Sequence, residues 1–197
     1  ALNSRIQTAI LVGSVFTDGY LAAQAEDTQQ CKNVVKDLVG LAKTLGVQAE
    51  LLDRSRSLVD SAQKKSWSTF RQELGATSVE LENVLRKHQD ERLVSLVLIG
   101  AWVRGLEISS SILRETYTEI GASLLRQKSI LKLLQSETLV PTDPQRPDHL
   151  MIALRPRLER LLHLLDGPSD VPVSRSEIIE LSPVLSSILQ EVISRQN

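Results

Sequence analysis

The run from Leu93 to Ile108 (LVSLVLIGAWVRGLEI) constrains this chain most. It is apolar around most of a helical circumference, and a helix of that kind in a globular protein belongs at the centre of a helical assembly. It also carries Gly100 and Gly105, each costing about 1 kcal/mol against alanine inside a helix. Its two charges, Arg104 and Glu107, need partners wherever water is scarce. The run therefore predicts a central helix with Trp102 as a core anchor, and Gly13 and Gly100 are expected at close helix–helix contacts between the first and fifth helices. Leu93 to Val103 alone is too short, and too closely flanked by charges, to span a bilayer.

The rest of the chain repeats the helical pattern. Apolar residues recur at three- and four-residue spacing over about 3–25, 28–45, 48–62, 66–88, 90–116, 119–135, 148–166 and 176–195. In the sixth of these, Ile120, Leu124, Ile130, Leu131 and Leu134 are expected inward. Asp27 or Thr28 can cap the second helix, Asp90 stands where an N-cap belongs and Gly46 where a C-cap belongs, and Ser174 with Glu177 forms a capping box. Pro156 and Pro183 are expected to kink or interrupt their helices. Ser136 to Pro147 holds three prolines and reads as a loop. Aromatics are only 3% of 197 residues, so leucine, isoleucine, valine and alanine must fill the core. The fold class is all-α: an antiparallel helical bundle of seven or eight helices in one domain spanning 1–197. A shift of 87 residues lays Leu11-Val12-Gly13-Ser14 on Leu98-Ile99-Gly100-Ala101. As a pseudo-repeat this would make two four-helix halves meeting near 88–90.

A net charge of −1 and the lack of a basic face argue against nucleic acid as a partner. The single cysteine, Cys31, excludes an internal disulfide framework. Lys32 and Lys36 lie near it and would lower its pKa, yet no histidine is close enough in sequence to act as its base, so it reads as a small core residue. No Gly-x-Ser-x-Gly elbow, phosphate loop or dinucleotide fingerprint occurs, so the chain is not expected to be an enzyme and calls for no cofactor.

Three sets of polar or aromatic residues stand out. Asp18, Arg104 and Glu107 lie in the two most apolar helices; the first reading is a structural ion pair, and the second is a polar pocket for a small ligand. Glu159, His163 and Asp166 share one helical face, which could ligate a metal for hydrolysis. Neighbouring Arg157 and Arg160 favour surface ion pairs there instead, and no metal is assigned. Trp67, at a helix start, is a candidate interface residue. His88 falls at a helix end and His149 in the proline-rich segment.

Three segments carry a likeness. Gly13 to Leu21 follows G-x-Y-x-x-D-x-x-Y, with Val15 and Leu21 in place of the tyrosines. Val39 to Val47 is similar to V-x-x-L-x-x-x-L-G-V: Leu41, Leu45, Gly46 and Val47 follow it, and Val39 stands one residue nearer to Leu41 than the pattern's first valine. Leu98 to Ile108 follows L-x-G-x-W-x-x-G-L-Y-I, with Glu107 in place of the tyrosine. In order over about 5–134, these resemble an uncharacterised group of helical, lipoprotein-like proteins of Bacteroides-type bacteria. The resemblance implies an all-helical fold and an exported form in the periplasm or cell envelope, held at a membrane only through an upstream lipid anchor. It implies no activity. The expected function is a non-catalytic helical module acting through an unknown protein partner. The alternatives are a small-ligand binder at Asp18, Arg104 and Glu107, and a metal-dependent hydrolase using His163.

Overall fold

A computed structural model describes residues 2–141, 143–145 and 147–194. Among the described residues there are nine α-helices and no strand. They are α1 (Leu2–Gln24), α2 (Thr28–Leu45), α3 (Gln48–Gln63), α4 (Trp67–Lys87), α5 (Glu91–Glu115), α6 (Glu119–Ser123), α7 (Lys128–Thr138), α8 (His149–Leu165) and α9 (Arg175–Ser194). The chain divides into two compact units at 101/102, inside α5.

In the first unit, α2, α3 and α4 pack in succession around Leu58, Phe70, Leu74, Leu81 and Leu85, all fully buried. The ends of α2 are set locally. The Asp27 carboxylate accepts a hydrogen bond from the Gln30 amide at 2.9 Å. Gly46, at φ 79°, takes the left-handed turn that a Cβ would disfavour. The α1 helix crosses the first half of α5 through two glycines. A Cβ on Gly13 would collide with the Val97 carbonyl, and one on Gly100 with the Ile10 carbonyl. Both clashes are with backbone, which cannot rotate away. Hydroxyls reinforce the crossing: Ser14 Oγ donates toward the Gly100 carbonyl (3.3 Å) and Thr17 Oγ1 toward that of Ala101 (3.0 Å). Arg5 reaches Asp90, just ahead of α5, at 2.6 Å.

The expected sixth helix is two helices, α6 and α7, broken at Leu124 to Gln127. The cause is Arg126. Its side chain is only 5% exposed, and it donates to the Val171 carbonyl at 2.6 Å and to Glu177 at 2.9 Å. Drawing this residue inward takes the chain off the helical path, and Gln127 becomes extended. Ile120 and Leu124, expected inward, are 81% and 66% exposed.

The capping box at the start of α9 is present in both directions: the Ser174 amide donates to Glu177 (2.6 Å) and the Glu177 amide to Ser174 Oγ (3.3 Å). The prolines do not break their helices. Pro156 lies inside α8 and Pro183 inside α9. Each removes one bond to the carbonyl four residues back, and those carbonyls belong to the exposed Ile152 and Ile179, where water can replace the lost donor. His149 opens α8 rather than lying in the loop, and the expected end of the last helix at Arg195 lies outside the described residues.

The run Leu93 to Val103 sits within a helix of 25 residues, so the expectation that it is too short to span a bilayer does not apply to α5. By length and composition alone, α1 and α5 are each able to cross a membrane, a test that core helices of globular proteins also pass. Trp102 is half-buried rather than a fully buried anchor.

Two outcomes are expected. Gly13→Ala and Gly100→Ala should each destabilise by about 1–3 kcal/mol through overpacking. Gly40→Ala, on the exposed face of α2 with nothing within 4 Å of the added carbon, should stabilise by about 0.5–1 kcal/mol. Urea unfolding midpoints of the three variants test the contrast.

The second outcome concerns Glu177. Burial alone would raise its carboxyl, but the amide and hydroxyl of Ser174, with Arg126 beside it, hold it below the ordinary value of 4.5. A carboxyl lowered in the folded state contributes stability that is full above its unfolded value and is lost as pH falls through the folded one. On acidification below about pH 4.5, wild type should lose stability more steeply than Glu177→Gln, and parallel pH profiles would refute this.

Candidate functional site

The second half of α5 presents a face built by helical spacing: Trp102, Gly105, Leu106, Ser109, Ile112, Leu113 and Thr116. The short α6 lies against it. Thr118 caps α6, its Oγ1 accepting from the Gly121 amide at 3.2 Å. Gly121 fits close to Leu113, whose Cδ2 would stand 3.0 Å from a Cβ there. Tyr117 fixes the turn, its hydroxyl donating to the Val173 carbonyl at 3.1 Å while the Arg175 guanidinium sits 5.0 Å from its ring centre. Between α5 and α6 an open groove of about 560 Å³ remains, continued by Leu124, Leu125 and Gln127.

The groove's chemistry is one-sided. None of the residues that line it is ionisable; its polar side-chain groups are the hydroxyls of Ser109, Thr116 and Thr118, the Gln127 amide and the Trp102 indole N–H. Such a surface holds no acid, base or activated nucleophile, so it can bind apolar groups but cannot move protons. At its rim, Ile112 is 59% exposed. On its floor, a Cβ on Gly105 would meet nothing within 4 Å. The glycines at 13 and 100 are needed by neighbouring backbone; at 105, among the described residues, no neighbour calls for one.

The residues singled out from sequence fall elsewhere. Arg104 pairs with Glu107 one turn along α5, with side chains 31% and 28% exposed, so the pair is at the protein–water boundary rather than deep in a core. Asp18 is half-buried in α1, in the first unit. Trp67 opens α4 and is half-buried. His163 is exposed on α8, and Glu159 does not line the cleft that His163 and Asp166 share. Among the described residues no group of three or more His, Cys, Asp or Glu side chains is placed to hold a metal ion. Cys31 is fully buried, and burial, with Asp27 second, raises its pKa; the lowering expected from Lys32 and Lys36 does not occur, as Lys36 is exposed and the thiol is desolvated. His88 forms the C-cap of α4, at the helix end where it was expected.

Sequence reading missed the groove. Its only signal was Gly105, a second mid-helix glycine one and a half turns past Gly100. Gly105→Ala should raise stability by about 0.5–1 kcal/mol, since it removes the backbone freedom of glycine and adds no clash. A destabilised variant in thermal or urea melts would show that the floor is occupied. Comparison of the chain with known protein families, with curated proteins and with solved structures finds no match.

Proposed function

We propose that the chain is a non-catalytic helical interaction module whose second unit docks an apolar helix of a protein partner in the α5–α6 groove. The observation that carries this is the uncharged groove with an unfilled glycine floor. A mid-helix glycine without an internal neighbour is what close approach by an outside helix requires. Exposed Ile112, Ile120 and Leu124 supply apolar surface along the same elements. A lining without charges imposes no desolvation penalty for burying ions, so binding would draw on apolar contact.

Each unit is read as an antiparallel bundle, because connections as short as Gly46-Val47 or Lys64-Lys65-Ser66 leave successive helices little choice but to reverse. The pseudo-repeat also gains support. Under the shift of 87 residues Gly13 maps to Gly100 and Ile10 to Val97, so the contacts Gly13–Val97 and Gly100–Ile10 exchange with one another, as at a two-fold crossing. Export and a lipid anchor rest on the sequence resemblance alone, and the gene's upstream sequence, with or without a lipobox cysteine, decides that reading.

The test is site-specific photo-crosslinking in the producing cell, with benzoylphenylalanine placed at Ile112 and, as control, at exposed Val79 on α4. A discrete adduct at Ile112, absent at Val79 and abolished by Gly105→Leu, is the expected result. No adduct at Ile112, or the same adducts at both positions, overturns the proposal.

A further inference from the structure

A second depression, of about 360 Å³, opens between α7 and α8. Lys128 and Lys132, one turn apart on α7, line it together with Gln135 and with His163 and Asp166 from the end of α8. Leu131, Leu162 and Leu165 add an apolar side. Among the described residues neither lysine forms an ion pair, and neither His163 nor Asp166 does. With the imidazole neutral, two lysines against one aspartate leave the lining at +1, and a protonated His163 adds another charge.

This arrangement has a cost that no ion pair among the described residues offsets. Like charges at i and i+4 destabilise a helix by about 0.2–0.5 kcal/mol. Lys64, by contrast, sits 2.8 Å from Asp60 one turn away. The setting adds to the positive potential. The N-terminus of α7 is at Lys128, and its N-cap Gln127 offers no side-chain acceptor to the first-turn amides. Behind Gly167, which lines the cleft, lies the guanidinium of Arg126, whose charge Glu177 already balances; its Nε is buried without a hydrogen-bond partner and would stand 3.2 Å from a Cβ on Gly167. The same charges disfavour a cation, which is a physical reason against a metal at His163.

We infer that the α7–α8 cleft binds a small oxyanion, a phosphate or phosphomonoester, through Lys128, Lys132 and His163. The volume exceeds that of a bare phosphate, and Leu131 and Leu162 offer contact to an apolar body attached to it. The anion could come from a soluble phosphate ester or from a lipid headgroup. The inference is independent of the α5–α6 groove.

The test follows the His163 imidazole and the lysine side chains by NMR during titration of the full chain with inorganic phosphate, against a chloride control of equal ionic strength. Saturable shifts at His163 are expected, with affinity lowered at least about tenfold in Lys128→Ala/Lys132→Ala. A Lys64→Ala variant should bind as wild type does. Shifts that rise linearly without saturating, or that persist unchanged in the double variant, overturn the inference. Dihexanoyl phosphatidate separates the sources: binding about tenfold tighter than phosphate indicates a lipid headgroup, and equal affinity a soluble ester. Failure here leaves the crosslinking result at Ile112 untouched.

Discussion

The glycine crossing of α1 and α5 is the contact on which the first unit depends. Two helices normally stand 8–10 Å apart because side chains separate them. At Gly13 and Gly100 there is no side chain on either partner at the contact, so carbonyl oxygens of one helix occupy the space beside the other. Ser14 and Thr17 then reach carbonyls on their own helix and on the neighbour, which holds the register of the crossing as well as its distance. The apolar circumference of α5 follows from this. A helix gripped on one side by backbone and packed on others by leucine and valine has little polar surface left to present over its first half.

Apart from the Gly13–Gly100 crossing, which two mid-helix glycines in the two most apolar helices pointed to, what was legible in the sequence is what depends on near neighbours. The ends of α2 and the start of α9 are written in residues within three or four positions of each other, and Asp27, Gly46, Ser174 and Glu177 do what their positions suggest. The pairing of Arg104 with Glu107 is a one-turn relation too. The α6–α7 break was not legible. Periodicity runs straight through Ile120, Leu124 and Leu131, and the partners that pull Arg126 inward lie 45 and 51 residues further along. The groove was hidden for the same reason: Leu124 was placed inward by its period, and only the displaced α6 turns it out.

The second unit thus carries two surfaces of contrasting chemistry. The α5–α6 groove has no ionisable lining, while the α7–α8 cleft has lysines that form no ion pair among the described residues. Each would discriminate by a different physical quantity. An apolar groove selects by shape and by area removed from water, and is little affected by salt. A cationic cleft selects by charge and weakens as ionic strength rises. Arg126 touches both neighbourhoods through the bend it creates, since Leu125 precedes it in the groove and Lys128 follows it in the cleft.

That bend also sets an order of events during synthesis. Leu124 to Gln127 leave the ribosome before Val171 and Glu177 do, so for a time the guanidinium of Arg126 has neither of its acceptors. Nothing in the local sequence then prevents residues 119–135 from winding as one continuous helix, the form that periodicity alone dictates. The nascent chain would hold Ile120 and Leu124 on its apolar stripe until the last helix arrives, and the arrival of α9 would split that helix and expose them. A ribosome-bound chain ending before Val171 should therefore differ from the finished protein in the path of its middle, not merely in lacking its tail.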